Sequence, residues 1–206
     1  MRKIQYAFRM VHIDNIPHIL KYGFVHRKDS GASSSYVPIG DSTVINTRMN
    51  KRLKDGSCLA DYIPFYFGPR SPMLYNIQHG YGFLEKREPH EIVYCVLVIQ
   101  TIIDSELECV FTDGHALDSA SQFYDKSDLE RLDEIVKYED VYTRFWFNQD
   151  FLDDRKRRKE AELLIKENVP QHYIKGLVVF DEEAYEKMRS FGIPESKLCL
   201  KKEFYY

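Results

Sequence analysis

Between Asp61 and Tyr75 the chain reads Asp-Tyr-Ile-Pro-Phe-Tyr-Phe-Gly-Pro-Arg-Ser-Pro-Met-Leu-Tyr, with five aromatics, three prolines and one arginine in fifteen residues. Proline lacks a backbone N–H and fixes φ, so Pro64, Pro69 and Pro72 predict an edge strand, a rigid turn and the first turn of a helix. Rings held rigidly beside the guanidinium of Arg70 suit a flat, partly anionic ligand such as a nucleotide base with its phosphate. The same composition also reads as a proline-broken core strand with structural aromatics. A second chemical element is Glu160-Ala161-Glu162-Leu163-Leu164-Ile165. As a strand it places Glu160, Glu162 and Leu164 on one face, so either glutamate can point into a cleft. The bland alternative is a solvated helix end running from Arg155 to Glu167. A third is the basic run Arg155-Lys156-Arg157-Arg158-Lys159 directly before it, a composition that by itself describes a solvated helix face. No H-x-x-x-H, EF-hand or P-loop spacing supports metal-assisted or phosphoryl-transfer chemistry.

The elements that must position these residues are legible from pattern. Gln5 to Val11 has the β-rich look of a first strand. Asp14 or Asn15 then caps a helix with Pro17 in its first turn and Gly23 just past its end. Arg27 to Ser35 turns polar, a loop suited to solvent or to a ligand. Tyr62 to Phe67 is a strand, and Ser71-Pro72 starts a helix closed near Gly80. Glu91 to Ile99 is a β-branched apolar run, read as a central strand buried on both faces. Glu108 to Thr112 and Ile174 to Phe180 are further strands, and Asp128 to Lys137 is a short amphipathic helix. Asp181 caps a helix ending near Gly192, and Lys197 to Lys201 makes a last short strand. Irregular strands, short helices and long connections indicate an α+β domain rather than a doubly wound sheet.

At 206 residues the chain fits one domain with a core large enough to need no disulfide or metal. Its net charge of −3 excludes a protein that coats nucleic acid by bulk electrostatics, so any DNA contact must be local. Cys58, Cys95, Cys109 and Cys199 form no C-x-x-C pair and read as reduced, buried thiols. Met1 to Tyr6 has no apolar leader core and no long uncharged apolar run follows, so the expectation is a cytoplasmic, monomeric protein without membrane contact.

The run Asp61 to Phe67 followed by Pro69-Arg70-Ser71-Pro72-Met73 resembles the signature of the DarT family, bacterial toxins that transfer ADP-ribose from NAD to bases in DNA. Val11-His12-Ile13-Asp14-Asn15-Ile16-Pro17, Val110-Phe111-Thr112-Asp113 with His115, Ala161-Glu162-Leu163-Leu164 and the terminal Lys201 to Tyr206 resemble the same family in the same order. The resemblance spans nearly the whole chain. It implies one ADP-ribosyltransferase-like domain over residues 1–206, with a split, mainly antiparallel sheet flanked by short helices. It further implies NAD as co-substrate without a metal, single-stranded DNA as acceptor, thymine or guanine as the modified base, and a macrodomain antitoxin as partner. An enzyme acting on protein or only hydrolysing NAD, and a non-catalytic nucleotide-binding module, are the alternatives.

The resemblance also assigns roles. Breaking the nicotinamide–ribose bond builds positive charge on the ribose, which a placed carboxylate stabilises; the family's Ala-Glu-aliphatic-aliphatic motif selects Glu162. Gly40 to Arg48 resembles the segment that ends on the family's catalytic arginine, implying Arg48, with Arg52 as competitor across a short loop. Phe8, Arg9 and Met10 stand where the first strand supports nicotinamide through its backbone. His12 and Asn15 belong to the matching run, and Tyr66 matches a tyrosine expected to stack on nicotinamide. For DNA, the implied contacts are Arg70, His115, Arg155, Arg157 and Arg158.

Overall fold

The computed structural model describes residues 3–150 and 153–206, so Met1 and Arg2 of the stretch read above for a leader lie outside the described residues. In chain order it comprises β1 (Tyr6–His12), α1 (Ile16–Tyr22), α2 (Ser42–Asn50), β2 (Tyr62–Tyr66), α3 (Pro72–His79), β3 (Ile92–Val98) and α4 (Ile99–Ile103). There follow β4 (Cys109–Thr112), β5 (Phe123–Asp125), α5 (Leu132–Ile135), α6 (Tyr138–Tyr142), α7 (Arg155–Lys159), β6 (Glu162–Lys166), β7 (Ile174–Val179), α8 (Glu182–Ser190) and β8 (Leu198–Leu200). The expected α+β class is what forms: one sheet in the order β5-β4-β6-β2-β1-β3-β7-β8, antiparallel except for the parallel β7–β8 pair. Among the described residues no helix is long and apolar enough to cross a membrane.

Period-2 alternation builds the frame. Along β1, Ala7 and Val11 enter one core while Phe8 and Met10 enter the core on the opposite face. β3 is buried on both faces as its composition requires, Val93, Cys95 and Leu97 facing one core and Ile92, Tyr94 and Val96 the other. At about 1.5–3 kcal/mol per fully buried large apolar side chain, these two strands anchor the core on both faces of the sheet. By contrast α2 buries none of its residues, so it is held by its ends and by few side chains.

Between β1 and β2 the sheet splits. Only one pair, Phe8 opposite Tyr66, joins them in register, whereas β2 pairs with β6 along its whole length. Pro64 was expected to mark an edge strand, but β2 lies inside the strand order. The physical reason is the split itself: where β1 and β2 part, an N–H at position 64 has no ladder partner to lose. Arg9 spans the gap, its Nη1 donating to the Pro64 carbonyl at 2.9 Å.

Several local expectations hold. Ser71 caps α3 by accepting from the Leu74 N–H, Gly80 closes it at φ 65°, and Asp181 caps α8 through the Ala184 N–H. Others change. The helix expected over Asp128–Lys137 divides into a 3-10 segment and α5. Neither Asp14 nor Asn15 caps α1 with its side chain; His12 instead accepts from the Asp14 N–H to start a 3-10 turn, and Asn15 turns elsewhere.

Candidate active site

Glu162 opens β6 with its side chain fully buried, and its carboxylate is held from two directions. Arg48 at the end of α2 donates Nη2 to Oε2 at 2.9 Å and Nη1 to Oε1 at 3.4 Å. The Ala116 N–H donates to Oε1 at 2.9 Å from the loop after β4. That loop is fastened beneath by Thr112, whose hydroxyl donates to the Gly114 carbonyl and accepts from the Glu162 N–H. Burial pushes the Glu162 carboxyl upward, but Arg48, His115 and the Ala116 N–H outweigh it and hold its pKa below the usual carboxylate range. Glu162 is therefore an anion at neutral pH, presented by a fork of donors. Arg52 is exposed and meets only the backbone of Cys58, so the geometry places Arg48, not Arg52, on the carboxylate.

Above this pair opens a cavity of about 650 Å³ lined by Arg9, Met10, Arg48, Tyr66, His115 and Glu160 among others. A second, of about 350 Å³, adjoins it, and Arg9, Tyr36, Ile45, Arg48 and Pro64 line both. Together they form a two-part groove across the sheet split, a size and shape suited to a dinucleotide. Arg9 is the hinge of the groove. Its Nη1 is bonded to Pro64, and its Nε is buried without a hydrogen-bond partner among the described residues. Tyr66 offers its ring to the cavity, with its hydroxyl against the Met73 sulfur. Burial, then repulsion from Glu162, keeps that phenol protonated. Burial and the nearby Arg48 lower the His115 pKa against the opposing pull of Glu162.

The other residues expected at NAD lie behind the groove. Phe8 is core, with its ring edge-on to Tyr94 and Phe204. His12 is buried, its Nδ1 taken by the Asp14 N–H and its Nε2 3.5 Å from Glu91. Asn15 acts at one remove: its amide exchanges two 2.8 Å hydrogen bonds with the backbone of Val37, latching the Tyr36–Gly40 segment that lines the cavity.

Glu160 departs from the expected strand face. It terminates α7 with φ −98° and ψ 24°, so strand alternation begins only after it. Nevertheless it lines the same cavity at 9% exposure, with no hydrogen-bond donor on its carboxylate among the described residues. Burial, partly offset by Lys156, pushes its pKa up to about 8. Because the folded pKa lies above the ordinary value of 4.5, folding disfavours the ionised form. Stability therefore falls as pH rises from the ordinary value towards 8 and stays reduced above it. Glu160→Gln is thus expected to raise the melting temperature at pH 9 by several degrees and to change it little near pH 4; equal shifts at both pH values would contradict the assignment. Its neighbour Lys159 is fully buried, donating to the Pro69 and Val141 carbonyls at 2.8 and 2.5 Å; burial and Arg70 lower it to about 7.

Of the residues expected at DNA, His115 and Arg157 reach the cavity. Arg70 does not. It is 8% exposed, with φ 53°, and its guanidinium donates to the Glu203 and Tyr142 carbonyls, locking the C-terminal segment to the turn before α3. The basic run is largely neutralised within the fold. Arg157 is 11% exposed between Asp113 and Asp154, Arg158 pairs with Asp140 and Asp154, and Arg155 lies 3.6 Å from Asp153. Such pairing follows from packing a short basic helix against acidic loops and against α6, which linear sequence does not reveal. Lys159 and the Ala116 N–H were likewise not singled out: a backbone donor carries no residue signal, and a buried lysine looks like any member of a charged run. Among the described residues the grouping with metal-ligand geometry is His90, Asp181 and Glu183, none of which lines the cavity.

Comparison with known proteins meets this geometry. The family model described as "ssDNA thymidine ADP-ribosyltransferase, DarT" matches residues 8–206. A DNA ADP-ribosyl transferase of Escherichia coli O127:H6 is 34% identical over 179 residues, 85% of this chain and 80% of that protein. A DNA ADP-ribosyl transferase–DNA ADP-ribosyl glycohydrolase fusion protein of Thermosipho africanus is 27% identical over 183 residues, 88% of this chain and 44% of the fusion. Among solved structures, Thermus sp. 2.9 DarT in complex with ADP-ribosylated ssDNA superposes with a TM-score of 0.81 at 26% identity, covering 100% of this chain and 98% of that one. The same protein in complex with NAD+ gives 0.76 at 25% identity, covering 100% and 99%. A family match over all but the first seven residues, on the fold that the split sheet builds, places the chain in the DarT family of DNA ADP-ribosyltransferases.

Proposed function

We propose that this chain binds NAD across the two-part groove and transfers its ADP-ribose to a base of single-stranded DNA, with release of nicotinamide. The observation that carries this reading is the fully buried Glu162 carboxylate, held anionic by Arg48, which lines both parts of that groove. The Thermus relative's complexes with NAD+ and with ADP-ribosylated ssDNA supply the chemistry to test against these residues.

As the nicotinamide–ribose bond breaks, charge develops on the ribose, and an anion already oriented needs no reorganisation to stabilise it. Arg48 covers Glu162, so the pair must open for the carboxylate to meet the ribose. The diphosphate of NAD is the group that draws it open, because a planar guanidinium grips phosphate as well as carboxylate. α2 can follow such a shift, since no buried residue anchors it. The guanidinium charge of Arg9, which lines both parts of the groove, serves the second phosphate. Tyr66 orients nicotinamide by its ring face. The base nitrogen then bonds to the ribose carbon that nicotinamide has left, and its proton is lost.

In the cell this activity fits a toxin acting on cytoplasmic DNA and neutralised by a macrodomain antitoxin. The Thermosipho relative, in which transferase and glycohydrolase form one chain, supports a partner that removes the mark. The test is mass spectrometry of oligonucleotides whose only reactive base is thymine or guanine, after incubation with protein and NAD. An ADP-ribose adduct on one of them is expected. Free ADP-ribose alone, or adducts only on added protein, would replace this reading by NAD hydrolysis or protein modification.

A further inference from the structure

Beyond the cavity mouth stands a group of rings that neither the catalytic pair nor the NAD groove uses. Tyr75 of α3 is its hub, meeting Trp146, Phe147 and Tyr206 edge-on at 5.7, 5.6 and 5.1 Å, and Tyr81 at 5.7 Å. Trp146 stacks on Phe147 at 4.0 Å with planes 24° apart, and His79 stacks on Tyr81 at 5.4 Å with planes 11° apart. The ridge is fixed from below: Trp146 is buried and donates to the Tyr206 hydroxyl, which in turn donates to the Arg70 carbonyl at 2.7 Å. Yet its outer rings are open, Tyr81 at 51% and Phe147 at 56% exposure. A contiguous apolar surface left exposed on a rigid support marks a binding site rather than a packing remnant.

Two observations identify the occupant. The ridge is continuous with the catalytic cavity, since Asn76 and Asn148, the neighbours of Tyr75 and Phe147, line it. Furthermore, Lys156, whose backbone N–H donates to the Asn148 side chain, and Arg144, two residues before Trp146, are both exposed, and among the described residues neither has a carboxylate within ion-pair distance. Open ring faces beside isolated cations match the alternation of base and phosphate in an unpaired strand, whereas a duplex keeps its base faces stacked away. A net charge of −3 leaves bulk electrostatics little part in that affinity, so stacking and local contacts must supply it.

We propose that this ridge is the track on which nucleotides flanking the acceptor base stack, with Phe147 and Tyr81 as the ring faces. The inference rests on the DNA-modifying reading above and extends its site outward from the cavity. Because every base has a π face, the track adds affinity without sequence preference, leaving base choice to the cavity.

The experiment compares two oligonucleotides carrying the same acceptor base, one with a single neighbour on each side and one several nucleotides longer. The expected result is a lower KM for the longer one, an advantage that collapses about tenfold or more in Phe147→Ala/Tyr81→Ala. The advantage is expected to survive in the ring-preserving Phe147→Tyr/Tyr81→Phe. Trp146 is the chain's only tryptophan and lies within the ridge. Without NAD, the longer oligonucleotide is therefore expected to quench its fluorescence in the wild type and not in the alanine variant. No length advantage in the wild type, an advantage intact in the alanine variant, or equal losses on both oligonucleotides would overturn the track. An intact advantage with lost binding of a macrodomain partner would assign the ridge to protein instead. If the wild type modifies neither oligonucleotide, the DNA-modifying reading itself falls, and the track with it.

Discussion

Glu162→Gln is expected to lower transfer to DNA by on the order of a hundredfold or more, the scale at which a preorganised electrostatic group acts on a charged transition state. The amide keeps the size of the side chain and can still accept from the Ala116 N–H, so the β4–β6 junction should persist. What it loses is the charge. Removing one partner of a buried ion pair is ordinarily destabilising because the other charge is left unpaired. Here Arg48 borders an open cavity at 11% side-chain exposure and can turn towards solvent or the NAD phosphates. NAD affinity is therefore expected to hold or improve, while turnover collapses. Calorimetric NAD titration beside single-turnover transfer separates the two. Wild-type turnover in the variant would remove Glu162 from the reaction, and loss of NAD affinity in step with turnover would make its role structural.

The second large effect is expected at Arg48→Lys. Lysine preserves the charge but not the fork, so the paired contacts from Nη1 and Nη2 to the two carboxylate oxygens reduce to one. A charge-assisted hydrogen bond contributes about 1.5–3 kcal/mol, which sets the expected loss in kcat/KM for NAD at about tenfold to a hundredfold. Arg52→Lys should be close to silent, because Arg52 is exposed and, among the described residues, forms only a backbone bridge with Cys58. Steady-state kinetics on both variants decide, and the reverse ranking would mean that Arg48 merely shields Glu162. The same pair sets an acid limit. Glu162 titrates below its ordinary value, so the stability it lends is present above about pH 4.5 and is lost as pH falls through the lowered value.

Sequence pattern by itself determined the frame. The β-branched run of β3, the alternation of β1 and the Ser71-Pro72 start of α3 state their structure locally, since side-chain period and backbone capping are properties of neighbouring residues. Resemblance of short motifs added Arg48 and Glu162, 114 positions apart, which no periodicity relates. Only the tertiary structure decided how the remaining charges are used. Arg70 and the arginines of α7 look alike in sequence as candidates for DNA. Folding encloses the first among backbone carbonyls and sets the others against Asp113, Asp140, Asp153 and Asp154. Glu160 and Glu162 read as equals on one strand, but a helix end at Glu160 gives it a raised pKa and, among the described residues, no donor, while Glu162 has a lowered pKa and three donors. The reason is physical: the ionisation and reach of a charged side chain depend on burial and on partners distant in the chain, and these exist only once the sheet has split and the loops have closed over it.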